Sequence, residues 1–479
     1  MNYRMIKYTV GWLMLFEAGF FSIPLLTAAI YGESAFYAFL LSMGICAAVA
    51  LAFLFIGKPK SYTLYAKDGF VIVSLGWIFL SIFGALPFMF SGVTDSYIDA
   101  LFETVSGFTT TGSSIFSSVE ALPMSINMWR CFTHWIGGMG VLVFIMAFLP
   151  LSGAQNLHIM RAESPGPSVN KLVPRMRNTA LILYLIYAIL TVIQFIFLIC
   201  GGMSVYEAIC TSFATAGTGG FGIKNDSLGS YSPYLQIVVT VFMLLFSLNF
   251  NAYYLIIKGK LKDALNSEIR SFVCIVAIVI TVITLNVYPM FSSVGEAIRH
   301  SSFTVASLIS TTGFVTTDFD LWPSLSKLLL LIIMFIGACA GSTGGGLKVS
   351  RMQILLKGAK QEVGNLLHPR RVKKVQIDGR PLETEVIRTV NAYFAIYVIV
   401  FFASMIIISF DNHDFLTTFS AVSAALNNIG PGLGDVGPTC NFSFFSVPSK
   451  LVLIFNMLAG RLELFPMLIL FAPSTWKNR

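Results

Sequence analysis

ALFETVSGFTTTGSS, residues 100–114, is a short apolar helical run that stops at a Thr/Gly-rich turn, and the same design returns three times along the chain. The second copy is AICTSFATAGTGGFG (208–222), the third SSFTVASLISTTGFV (301–315) and the fourth FSAVSAALNNIGPGLG (419–434). Aligning them superposes Gly112, Gly220, Gly313 and Gly430, at spacings of 108, 93 and 117 residues. Ten residues before the first three glycines stand Phe102, Cys210 and Phe303, and Ser420, beside Phe419, takes that place in the fourth. Longer apolar segments flank each copy, so the unit reads as helix, half-helix with turn, helix. Four such units can surround one axis.

The setting of these units is a membrane. Of the 479 residues 56% are hydrophobic and 11% charged, against roughly 25% charged in a soluble globular chain. That balance excludes a water-soluble enzyme. Crossing about 30 Å of hydrocarbon takes about 20 apolar residues, and ten stretches qualify, near 8–30, 35–57, 69–91, 129–151, 178–201, 233–257, 271–291, 325–355, 387–410 and 449–472. The first is too long for a signal-peptide core and reads as a retained span. With the second it forms a hairpin ahead of the repeats. The units divide as 1–60 (hairpin), 61–165, 166–262, 263–372 and 373–479. The seven cysteines are scattered without a C-x-x-C pair and read as small buried hydrophobes.

The net charge of +8 is a topology signal. Segments before residue 8, at 57–67, 152–178, 258–270 and 348–388, and after 472 hold 25 of the 31 Lys and Arg, which predicts cytoplasmic termini. Arg130, Lys327 and Lys450 fall at the outer ends of the helices that close repeats, where long side chains can snorkel. Outer segments carry the acids, Asp95, Asp99, Glu103, Glu120 and Glu207 among them, so the outer mouth reads as negative and suited to a cation.

Each turn falls between full spans, in the outer half of the membrane, where irregular backbone is tolerated only inside protein or along a water-filled path. Four turns can make a ring of carbonyl oxygens that replaces an ion's hydration shell. Glycine permits the backbone angles this requires, and the half-helix C-termini add partial negative charge. The candidate ion-binding residues are Thr110, Thr111, Gly112; Thr218, Gly219, Gly220; Thr311, Thr312, Gly313; and Asn428, Ile429, Gly430. The competing reading is small-residue helix packing. The unequal copies imply a less even coordination than a four-fold symmetric filter would give.

The run from Gly337 to Lys348 should break its helix and leave an intramembrane loop beneath the turns, a candidate gate through Gly341, Gly344, Gly345, Gly346 and Lys348; a close crossing of small residues is the other reading. Arg461 stands mid-span, where an Arg costs about 2.5–3.5 kcal/mol on insertion scales. It reads as an electrostatic barrier below the turns, or as a structural Arg bonded to backbone carbonyls or Glu463. His134, a lone polar residue at a helix start, reads as a satisfied packing histidine. Gly217-x-Gly219-x-x-Gly222 matches a dinucleotide fingerprint but ends a helix instead of opening one after a strand, so it is rejected. The basic stretch HPRRVKKVQIDGRP carries a turn signal at Asp378-Gly379. It suits anionic lipid or a cytosolic regulator. No nucleophile, base and orienter come together in the pattern, so no enzyme is expected.

SGFTTTG, TGGF, STTGF, NNIGPG, GSTGGGLK and AGRLELFP together resemble the membrane subunits of the Trk/Ktr/HKT superfamily of potassium transporters, and the N-terminal hairpin resembles the Trk type more than the Ktr type. AGTGGF in the second copy departs at Gly217 from the commoner STGGF. The resemblance covers essentially the whole chain. It implies an all-α polytopic fold of four pseudo-symmetric helix, pore-helix, helix repeats around one pore, with the aligned glycines in a selectivity filter for potassium. It further implies a gating loop at Gly337 to Lys348, a constriction at Arg461 and a homodimer. A cytosolic nucleotide-binding regulatory subunit of the TrkA type is also implied, with no tightly bound cofactor. The expected function is potassium uptake across a bacterial inner membrane. The alternatives are a sodium-permeable or sodium-coupled transporter of the same fold and a non-conducting scaffold or receptor.

Overall fold

The computed structural model describes residues 1–59, 65–140, 176–368 and 374–476. The expected span 129–151 beyond Gly140 and most of the basic segment 152–178 lie outside them.

Helix α1 (Tyr3–Phe20) runs into α2 (Ser22–Tyr31) as one 29-residue apolar stretch, and α3 (Ala35–Ile56) returns along it. The first unit follows: α4 (Ala66–Gly84) and α5 (Leu86–Phe90), half-helix α6 (Tyr97–Phe108), and α7 (Met124–Gly138). The second is α8 (Met176–Cys200), half-helix α9 (Val205–Ala216), and α10 (Pro233–Phe246) with α11 (Phe250–Ile257). In the third, α12 (Ser267–Val287) precedes half-helix α13 (Val294–Ile309), then α14 (Ser324–Ile336) and α15 (Val349–Leu367). The fourth comprises α16 (Thr384–Ile408), half-helix α17 (Phe415–Asn427), and α18 (Val447–Arg461) with α19 (Phe465–Phe471). A small hairpin, β1 (Gln376–Ile377) and β2 (Arg380–Pro381), turns at Asp378 and Gly379, both at positive φ.

The half-helices have 12, 12, 16 and 13 residues; at 1.5 Å per residue that is roughly 18–24 Å, too short to cross. Each begins at a side-chain cap. Ser96, Ser204 and Ser293 accept the N–H of Asp99, Glu207 and Glu296, and Asp414 accepts that of Thr417, so four apolar runs start at a fixed polar boundary. The third cap lies about one turn further from its glycine than the others, which accounts for the longer α13.

Six helices, or seven if the bent pair α10 and α11 counts as one span, are long and apolar enough to cross a membrane among the described residues. Ten full spans were expected. The difference lies mainly in the closing helices. α10 turns by 90° into α11 across Ser247–Asn249, α14 stops at Gly337 (φ 69°), and α18 stops before Glu463 and Leu464 (φ 63° and 60°). Outward faces such as Leu185, Ile189, Val192 and Ile196 on α8 stay exposed and apolar, the pattern of a helix whose surroundings are lipid. Cys200, Cys274 and Cys440 are exposed, unlike the other four cysteines.

Candidate functional site

The half-helices end alike. The N–H groups of Thr111, Gly219, Thr312 and Ile429 bond back to the carbonyls of Ser106, Ala214, Ser307 and Ala424 at 2.8–3.0 Å. This 6→1 bond is the Schellman closure, and it requires a left-handed residue just before. That residue is Thr110, Thr218, Thr311 or Asn428, at φ 56°, 55°, 60° and 55°. A left-handed L-residue costs about 1–2 kcal/mol, which the closure offsets. Two residues on, Gly112, Gly220, Gly313 and Gly430 have φ of 84°, 79°, 85° and 96°.

The glycines close a ring. A Cβ added to Gly112 would strike the carbonyl oxygen of Gly219, one on Gly220 that of Thr312, and one on Gly313 that of Ile429. At Gly430 it would lie 2.8 Å from the carbonyl oxygen of Thr111. Each glycine Cα is thus packed against the carbonyl just ahead of the next copy's glycine, in the order one, two, three, four and back to one. All four glycines line a single cavity of about 130 Å³. Its lining includes Arg130 and Lys224 and, among the described residues, no carboxylate. The acidic mouth read from the sequence is partly neutralised: Asp99 pairs with Lys450 at 2.6 Å, and Glu103 with Arg130 and Asp320 with Lys327 likewise. Arg130, Lys327 and Lys450 are therefore ion-paired instead of snorkelling.

Beneath the ring lies the loop 337–348, fixed at four places. Gly345 N–H donates to the Thr311 hydroxyl at 2.6 Å and Gly346 N–H to the Asn427 carbonyl at 3.1 Å. On another side the loop docks into the break between α10 and α11: Cys339 N–H donates to Ser247 O, Phe250 N–H to Gly341 O, and the Thr343 hydroxyl to Phe246 O, at 3.0–3.1 Å. Two irregular segments thus satisfy each other's backbone groups, a requirement inside a membrane. Glu268, at the start of α12, accepts the N–H of Ala340 at 2.7 Å and of Ser350 at 3.2 Å, holding both limbs. Lys348, buried and at φ 77°, turns its ammonium onto the Gly344 carbonyl.

Arg461 donates to Thr343 O at 2.7 Å, to Gly138 O at 2.6 Å and to Gly137 O. It ties the loop to the end of α7, while Glu463 pairs with Arg351. The twelve turn residues and the loop glycines, Lys348 and Arg461 thus form one continuous assembly. The sequence does not single out Glu268, the break at Asn249 or the Arg130–Glu103 pair, and His134, read as a satisfied packing histidine, bonds to backbone on both sides. A polar residue within an apolar run was the available signal for Asn249, Arg130, Glu103 and His134, whereas Glu268 stands in the polar stretch NSEIR.

Half-helices meeting at a ring of backbone carbonyls, inside a bundle of long apolar helices, define an all-α polytopic membrane protein. The TrkH family model, described as cation transport protein, matches residues 37–478, and the chain belongs to that family. It is 37% identical to the Trk system potassium uptake protein TrkH of Escherichia coli strain K12, with 100% of both chains covered. To the protein of the same name from Halomonas elongata it is 33% identical, again over 100% of both chains. The crystal structure of the potassium transporter TrkH from Vibrio parahaemolyticus superposes with a TM-score of 0.90 at 33% identity, covering 100% of both chains.

Proposed function

We propose that this chain takes potassium into the cell through the axis of the ring, down the ion's electrochemical gradient. The observation that carries this reading is the head-to-tail closure of four glycines on four carbonyls, which puts a layer of backbone oxygens around one axis. Thr110–Gly112, Thr218–Gly220, Thr311–Gly313 and Asn428–Gly430 are the filter residues, each triplet closing one of the four units whose boundaries the sequence suggests. The buried Thr110 hydroxyl and Asn428 Oδ1, with no hydrogen-bond partner among the described residues, are further acceptors at its base.

The loop through Gly341, Gly344, Gly345 and Gly346, with Lys348, is the gate, and Arg461 is its clasp. Lys348 and Arg461 set positive charge below the filter and oppose a permeating cation until the loop moves. A partner that pulls on α15 or the adjoining hairpin raises flux above the basal level of the chain alone. The basic 348–388 region suits a cytosolic nucleotide-binding subunit there, with the transporter a homodimer in the inner membrane and both termini cytoplasmic. The reading is of a transporter without catalysis, its nucleotide held by the partner.

Ion flux into proteoliposomes of the purified chain tests this, with potassium and sodium gradients imposed separately at a set potential. Flux that follows potassium with little sodium is expected. Equal sodium flux would replace this reading with that of a sodium-permeable relative.

A further inference from the structure

The filter turn of the second unit is held from behind by a helix of the first. Arg130 and His134 are four residues apart on α7 and so share one face. The His134 Nδ1–H donates to the Gly107 carbonyl of half-helix α6 at 2.8 Å, and its Nε2 accepts the N–H of Phe221 at 3.2 Å. Phe221 directly follows Gly220. The two bonds together assign the proton to Nδ1, because Nε2 must accept.

One turn earlier, Arg130 repeats the arrangement with a charge. Its Nε donates to Glu103 at 2.7 Å and Nη1 to the Gly222 carbonyl at 3.2 Å, and its guanidinium lies 4.2 Å from the centre of the Phe221 ring. Arg130 and Glu103 are 1% and 0% exposed at their side chains. The other closing-helix ion pairs are wetter: 28% and 27% for Lys327 and Asp320, 7% and 23% for Lys450 and Asp99. A fully buried ion pair is weak as a source of net stability, since desolvation takes back most of the attraction. It does hold a direction.

The glycines of the second copy are the independent observation. A Cβ on Gly219 would strike the His134 ring, and one on Gly217 the His134 carbonyl. Where the other copies carry Thr111, Thr312 or Ile429, the second carries Gly219, and the imidazole fills that space. Gly219 is thus matched to the imidazole, and Gly217 to the backbone of α7 at His134, 83 residues away.

We infer that the Arg130–His134 face of α7 is a positioning element for ion discrimination, fixing the second filter turn against the first half-helix through Phe221 and Gly222. The inference rests on the filter reading proposed above. The chain of contacts is short: His134 fixes Phe221, Phe221 fixes Gly220, and the neighbouring Gly219 carbonyl packs on Gly112. Where this grip is loosened, the carbonyl layer widens at the seam between the first and second units. A looser ring replaces the hydration shell less completely and so discriminates less between potassium and sodium.

The test compares the full-length wild type with His134→Asn and Arg130→Lys, measuring potassium and sodium flux in proteoliposomes at equal protein. Asn retains a donor for Gly107 and loses the acceptor for Phe221. Lys retains the charge and loses the fork that reaches both Glu103 and Gly222. A buried hydrogen bond lost is worth about 1 kcal/mol, so the potassium-to-sodium flux ratio should fall about three- to tenfold in each. A structural defect alone would reduce both fluxes by a common factor. An unchanged ratio in either variant that reaches the membrane normally, or a common loss, overturns the inference. Gly313→Ala runs alongside as the filter control. If it shifts the ratio and the α7 variants do not, the positioning role fails alone; if none does, the filter reading fails first.

Discussion

The Thr311 hydroxyl accepts the backbone N–H of Gly345 at 2.6 Å, so a residue of the proposed filter and the loop beneath it share one buried hydrogen bond. Information about the loop's position can therefore reach the ring through a single side chain. Thr311→Val keeps the shape and removes the acceptor, leaving a buried N–H unpaired at a cost of about 1–3 kcal/mol. Partner-free potassium flux should rise at least severalfold, while Thr311→Ser should behave as the wild type. Equal flux in all three proteins would show that this bond does not restrain the loop.

Glu268 holds both limbs of the loop from α12. Glu268→Ala should free them, and the protein carries its own reporter in Cys339, which is fully buried in the loop. A small thiol reagent added to the detergent-solubilised protein should label Cys339 several times faster in the variant, read by mass spectrometry. Glu268→Gln, which retains a carbonyl oxygen, should fall between. No change in Cys339 labelling would refute the clamp.

Gly313 has φ 85°, and a Cβ there would meet the Ile429 carbonyl. Gly313→Ala combines backbone strain of about 1–3 kcal/mol with displacement of a ring oxygen. Potassium uptake in a strain that depends on this chain should be abolished or lose its preference over sodium. Gly358 on α15, which has nothing near its Cβ position, is the matched control, and Gly358→Ala should leave uptake unchanged.

Apolar length and the repeated Gly registers were legible because they are written in consecutive residues. The half-helix caps and the left-handed residues two before each ring glycine follow from local rules, as does the Asp378–Gly379 turn. What could not be read was pairing across the chain. Arg461 lies two residues from Glu463 in sequence, yet bonds to carbonyls of Thr343 and Gly138 while Glu463 takes Arg351. The break at Asn249 has no proline and no glycine beside it, and its cause is the loop of another unit docked against it. His134 reads as a satisfied packing histidine and is satisfied, but the two backbone groups that do so, 27 and 87 residues away, could not be read.

The Arg351–Glu463 pair, 8% and 16% exposed at its side chains, joins the base of α15 to the break after α18. Removing one partner of such a pair is more damaging than removing both, by up to about 3 kcal/mol. Arg351→Met and Glu463→Gln should each lower the thermal midpoint of the purified protein, and the double variant should recover part of the loss. Strictly additive losses would mean the two residues do not act on each other.

The most direct test of the ring as an ion site is a crystal structure of the wild-type protein with rubidium in place of potassium, using rubidium's anomalous scattering. The account predicts a peak on the axis within coordinating distance of the carbonyl oxygens of Thr111, Gly219, Thr312 and Ile429. Anomalous density elsewhere in the membrane region, with none at the ring in a preparation that transports rubidium, would contradict it.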